Sequence, residues 1–152
     1  MASRAGKWLS YRPTDLIFAA RRALASIIAY IFRREFDDCA GTADDLARRH
    51  EPVEALQLWM QRFSAFFATK RDLRELFTRV ISSIQHCRVH FEARLRPALQ
   101  NLLASASAKG RIRSDIAPNE LLGAIARLSI SENADPAQAQ RMVALLANGL
   151  LL

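Results

Sequence analysis

Cysteine is scarce: the 152 residues contain only Cys39 and Cys87, far apart and in no Cys-x-x-Cys spacing. That excludes a disulfide framework and a zinc ribbon, and it makes a reducing compartment, the cytoplasm, the expected location. Glycine and proline number five each, too few for a collagenous or loop-dominated chain. No glycine-rich phosphate loop and no nucleophile elbow occurs, so no enzyme activity and no cofactor is expected. Long hydrophobic runs are missing as well. The run Ala23–Phe32 is ten residues, whereas a spanning helix needs about 20. Arg33, Arg34 and Glu35 follow it where a signal-peptide cleavage site would need small residues, so it reads as a buried helix.

Acidic residues are outnumbered, 15 against 22 basic, giving a net charge of +7. Arg4, Lys7, Arg12, Arg21, Arg22, Arg33 and Arg34 face only Asp15 within residues 1–34, so +6 of the +7 lies there. Such an end meets phosphates of nucleic acid or lipid, or is simply a solvated Arg-rich helix. The rest is rich in apolar residues, which make up 51% of the chain, enough for one folded core.

The apolar spacing is helical throughout, and no stretch alternates long enough to predict a strand. Pro52, Pro118 and Pro136 stand where helices begin, with Glu54, Glu120 and Gln138 two positions later as capping partners. Asp135 is a good N-cap, Ala117 a poor one, and Gly110 after Lys109 is a helix stop. The pattern predicts helices over 14–48 with a weak point at Gly41, then 52–68, 71–93, 97–109, 118–130 and 136–150. Pro97 is expected to kink or break the chain near 94–97. The fold class is therefore all-α, a helical bundle.

Three groups of residues invite a functional reading. His86 and His90, four apart, share a helical face as zinc ligands do, but no third ligand is signalled and the pair reads as exposed, with no metal. Trp59, Phe63, Phe66, Phe67, Phe77 and Phe91 form aromatic stripes interleaved with Ser64, Thr78, Ser82 and Gln85. Periodicity leaves these open between a filled core and a ligand pocket. The last two predicted helices are short and strongly apolar, with Gly123, Ala126, Ala144, Ala147 and Gly149 permitting close approach. Leu121, Leu122, Ile125, Met142 and Leu146 are the expected dimerisation residues, since paired hairpins would bury a shared four-helix face.

Longer stretches carry a family resemblance over about Ala25–Leu152. "RREFDDCAGTADDLARRHEPVEALQLWMQRFSAFFATKRDL" resembles the helix leaving the DNA-binding head and the first effector-domain helices of a subset of TetR/AcrR-type regulators. "LQNLLASASAKGRIRSDIAPNELLGAI" resembles their later passage, and "RMVALLANGLLL" their closing dimer helix. The turn Gly110–Asp115 and the tract 49–73 are the most specific parts. The resemblance implies the helical bundle of such a C-terminal domain: a ligand-responsive regulator, a repressor, that binds a small apolar effector and forms a homodimer. The ligand wall would be Trp59, Phe63, Phe67, Phe77 and Phe91, with Ser82 or Gln85 orienting the effector.

The resemblance also implies DNA as a partner, through a helix-turn-helix head. Met1–Arg22 supplies only "GKWLSYRPTDL", in which Tyr11-Arg12 and Pro13-Thr14 echo the end of the recognition helix and the start of the next. The head is thus expected to be largely missing, with 1–24 a basic remnant and 25–152 the sensing and dimerising domain. Isolated basic residues can hold phosphate but cannot read base edges without a scaffold. Two other readings compete. One is a stand-alone dimerising module without DNA binding; the other is a peripheral membrane protein using its basic, apolar first helix.

Overall fold

The computed structural model describes residues 12–69, 84–130 and 135–152. They form five helices: α1 (Pro13–Arg49), α2 (Pro52–Thr69), α3 (Ile84–Ala108), α4 (Pro118–Ile130) and α5 (Pro136–Gly149). Among the described residues there is no strand, only one isolated bridge, Ile112 with Leu151.

α2 lies at the centre and touches all four of the others. Its sequence explains the position: Ala55, Leu56, Trp59, Met60, Phe63 and Ser64 are all buried. At about 100° per residue they line one broad face wide enough to meet two layers. α1 and α3 cover one side and α4 and α5 the other. Leu95, Leu99, Leu102 and Ala106 carry the α3 side of the core; Leu121, Leu122, Ile125, Val143 and Ala147 carry the α4–α5 side.

The helix ends follow their sequence signals. Pro13 and Pro136 occupy first-turn positions, and the Asp135 carboxylate accepts from the Ala137 amide at 3.3 Å. Ala117, a poor cap, is rescued by Glu120, whose carboxylate accepts from the Ala117 amide at 3.0 Å. Gly110 adopts φ +67°, the left-handed value that closes α3, and its amide donates to the Ser107 carbonyl at 2.8 Å. Lys109 pairs with Glu51 at 3.0 Å, tying the end of α3 to the start of α2. The chain's last residues then clip onto this loop: Arg113 N–H donates to the Leu150 carbonyl at 2.9 Å and Leu152 N–H to Arg111 at 3.1 Å.

Three expectations need correction. α1 is not divided at Gly41. Cys39, Ala40 and Ala43 are buried on either side of it, and that burial outweighs the roughly 1 kcal/mol cost of a helical glycine. α3 does not break at Pro97 but runs through it from 84 to 108. The proline faces solvent, so the carbonyl one turn earlier can be hydrated, while Leu95 and Leu99 on the opposite side anchor the helix. Ala23–Phe32 is helical but not a buried helix. Ala25, Ile28 and Phe32 face the core, whereas Leu24, Ile27 and Tyr30 are exposed.

Candidate functional site

The aromatic residues gather where α1, α2 and α3 meet. Trp59 stacks on Phe63 at 5.2 Å with planes 14° apart. Phe63 in turn meets Phe67 edge-on at 5.0 Å and Phe91 at 5.9 Å. Phe66 lies 5.1 Å from Phe67, and Phe36 of α1 bridges Phe66 at 5.6 Å and Phe91 at 5.1 Å. Phe32 completes the set, edge-on to Phe66 at 6.0 Å. These separations lie in the attractive range for offset and T-shaped rings.

Exposure changes along this chain of rings. Trp59 and Phe63 are fully buried, while Phe66, Phe67 and Phe91 are only partly so. The wall is thus sealed beside α4 and opens toward the C-terminal end of α2. Of the sequence-predicted ligand residues, Trp59, Phe63, Phe67 and Phe91 come together here. Phe77, Ser82 and the side chain of Gln85 lie outside the described residues. Phe32 and Phe36 were missed; their four-residue spacing, continued by Cys39, Ala40 and Ala43, was the available signal.

Polar groups around the wall are few and matched. Trp59 Nε1 donates to the Cys39 carbonyl at 2.9 Å. The Cys39 thiol is pushed up to about 12 by burial, with Arg62 opposing and Glu35 adding, so it stays a neutral packing group at ordinary pH. Ser64 and Ser129, both buried, form a hydroxyl pair at 2.8 Å between α2 and α4. Beside the Phe36–Phe91 contact, Asp37 of α1 accepts from Arg94 Nε at 2.7 Å and lies 3.2 Å from His90 Nε2, both on α3. Desolvation raises the Asp37 carboxyl, but the bonds and charges of Arg94 and His90 outweigh it and hold the group below the usual carboxylate range. His90 is therefore not the exposed residue its wheel position suggested: α1 packs along that flank of α3. The described residues contain no cluster of three potential metal ligands, and the side chain of His86 lies outside them.

A groove lies between α4 and α5. This groove encloses about 460 Å³ and is lined by Arg113, Ile116, Leu121, Ala124, Leu145 and Leu146 among others. Arg113 is held in place by a two-point pair with Asp115, both bonds 2.6 Å. The expected dimerisation residues divide here. Leu121, Leu122 and Ile125 are buried in the chain's own core, because α4 packs on α2 through them. Leu146 is partly buried, and Met142 and Leu145 point outward, Leu145 with 62% of its surface exposed. Leu145, not among the expected residues, lies three residues from Met142 on the same outward side.

At the other end of the molecule Arg12 is exposed and caps α1 in extended conformation; Tyr11 lies outside the described residues. No described helix is long and apolar enough to cross a membrane.

Comparison with known proteins places this arrangement. A family model for the C-terminal domain of SbtR-like transcriptional regulators, one of the TetR C-terminal families, matches residues 51–152. No curated protein matches the chain. Among solved structures, a TetR transcriptional regulator from Streptomyces coelicolor superposes with a TM-score of 0.70 and 24% identity. The match covers 91% of this chain and 80% of that one, and at that identity it speaks for the fold. The chain belongs to the TetR-type transcriptional regulators, and its residues 51–152 form a C-terminal domain of the SbtR-like kind.

Proposed function

We propose that residues 25–152 are the effector-sensing and dimerising part of a TetR-type repressor, with residues 1–24 at its DNA-binding end. The observation that carries this reading is the graded aromatic wall: sealed at Trp59 and Phe63, open at Phe66, Phe67 and Phe91. Phe66, Phe67 and Phe91 pack against the buried rings with part of their surface in water, and an apolar ligand that inserts beside them would remove that surface from water. The occupant is a small, flat, largely apolar molecule, since the wall offers ring faces and edges and few free polar groups.

Phe32 and Phe36 give the wall a route to the rest of the protein. They belong to α1, so a ligand that wedges between α2 and α3 repositions the same helix that leads back to the N-terminal end. Ligand binding would then shift the population of two α1 arrangements, with Ala25–Arg34 as the transmitting segment. Dimerisation is assigned to the outward side of α4 and α5, where Met142, Leu145 and Leu146 adjoin the groove.

The test is saturable binding of the neutral apolar fluorophore N-phenyl-1-naphthylamine to the full chain. The expected result is one site per chain, with Phe67→Ser and Phe91→Ser each weakening binding roughly tenfold, the loss of one well-placed ring. Leu145→Ser, in the α4–α5 groove, should leave affinity unchanged. Equal affinity in all three variants would place the site elsewhere.

A further inference from the structure

Asp37 of α1 and the pair His90 and Arg94 of α3 make a charged contact to which the aromatic wall gives no role. Both partners meet one oxygen: Asp37 Oδ1 accepts from Arg94 Nε at 2.7 Å and lies 3.2 Å from His90 Nε2. The flanking residues are rings that join the same two helices. Phe36 precedes Asp37, Phe91 follows His90, and the ring centres are 5.1 Å apart with planes at 77°. Neighbours along a helix point about 100° apart. Phe36 is accordingly buried, while Asp37 and Arg94 keep 46% and 50% of their side chains in water. The α1–α3 seam therefore carries rings on its inner side and charges on its outer side, at the same level.

We propose that Asp37, gripped by Arg94 and His90, is a latch that holds α1 against α3 in the ligand-free arrangement and opposes effector entry. This rests on the sensing reading above and adds to it the residues that set the resistance. A ligand that inserts beside Phe91 and displaces Phe36 carries Asp37 with it, because adjacent residues of one helix move together. Hydrogen bonds weaken steeply with distance, so a shift of about 1 Å releases both partners from the shared oxygen at once. Asp37 is a positioning residue: it acts on the ligand through the placement of α1. Its resistance is modest, as for any half-exposed pair, roughly two- to fivefold in population. The same factor is the reduction in apparent affinity that the latch imposes on the ligand.

The experiment is titration of the full chain with N-phenyl-1-naphthylamine, as wild type, Asp37→Asn, Arg94→Gln and the double variant, at low and high salt. Ligand-free hydrogen–deuterium exchange is read on the same four proteins. Asp37→Asn keeps side-chain size and helix propensity and removes the charge. Each single variant is expected to bind roughly two- to fivefold more tightly than wild type, because less of the population is held in the latched arrangement. The double variant should add little, since either substitution opens the same latch. Salt should narrow the gap between wild type and variants, as the fluorophore is uncharged and the latch is not. Exchange in α1 around Asp37 should be faster in the ligand-free variants, with helicity by circular dichroism unchanged. Unchanged or weaker binding in both single variants, or fully additive gains in the double, would overturn the latch and leave the sensing reading standing. If none of the four proteins binds the fluorophore, the sensing reading fails instead. Exchange alone then decides the latch: faster exchange in α1 supports it, and unchanged exchange overturns it.

Discussion

Trp59→Ala is expected to cost about 3–5 kcal/mol of stability, the largest loss of any single truncation in this chain. The indole is fully buried at the centre of α2, stacks on Phe63 at 5.2 Å and bonds the Cys39 carbonyl. Alanine would leave a cavity bordered by three helices, and surrounding rings cannot collapse into it without giving up their own contacts. Against a typical total of about 5–15 kcal/mol, that is a large fraction of the fold. Melting should fall by about 10 °C or more for a chain of this size. Trp59→Phe keeps the ring stack and loses mainly one hydrogen bond, worth about 1 kcal/mol. The Cys39 carbonyl would keep its helical partner within α1, so no acceptor is stranded. Thermal denaturation of both variants checks the pair; a Trp59→Ala protein that melts with wild type would mean this junction is not the core.

The second large effect concerns assembly. Leu145→Asp is expected to convert a dimer into a monomer while leaving the monomer folded. Leu145 lines the α4–α5 groove with most of its surface in water, so an aspartate there stays solvated in a single chain. In a two-fold symmetric pair the substitution occurs twice in one interface. Burying an unpaired carboxylate costs several kcal/mol, and each 1.4 kcal/mol is tenfold, so affinity should fall by about a thousandfold or more. Val89→Asp is the control: Val89 is more exposed than Leu145 but lies on α3, away from the groove. Sedimentation equilibrium reads the result. A Leu145→Asp protein that remains dimeric, or a wild type that is monomeric at high concentration, would remove this face from the account.

Helix positions were legible in the sequence because proline, the capping acids and Gly110 mark ends by local chemistry. The errors at Gly41 and Pro97 share one cause. A local breaker signal was read without the tertiary burial on both sides that overrides it. Ala23–Phe32 was misjudged for the opposite reason: continuous apolar composition does not say how much surface the bundle has left to cover it. The aromatic wall was half legible. The α2 rings and Phe91 stood out by number and spacing, but Phe32 and Phe36 lie in another helix, and only packing brings them alongside. Leu121, Leu122 and Ile125 marked α4 as strongly apolar, yet periodicity could not say whether that stripe faces the chain's own α2 or a second copy.

The central claim is that ligand enters among α1, α2 and α3 and acts on α1. Hydrogen–deuterium exchange with and without saturating N-phenyl-1-naphthylamine tests it most directly, because each helix is read separately. The account predicts slowed exchange in α1 from about Ile28 to Ala40, together with the C-terminal half of α2. Protection confined to α4 and α5, with α1 unchanged, would contradict it and move the ligand site to the groove.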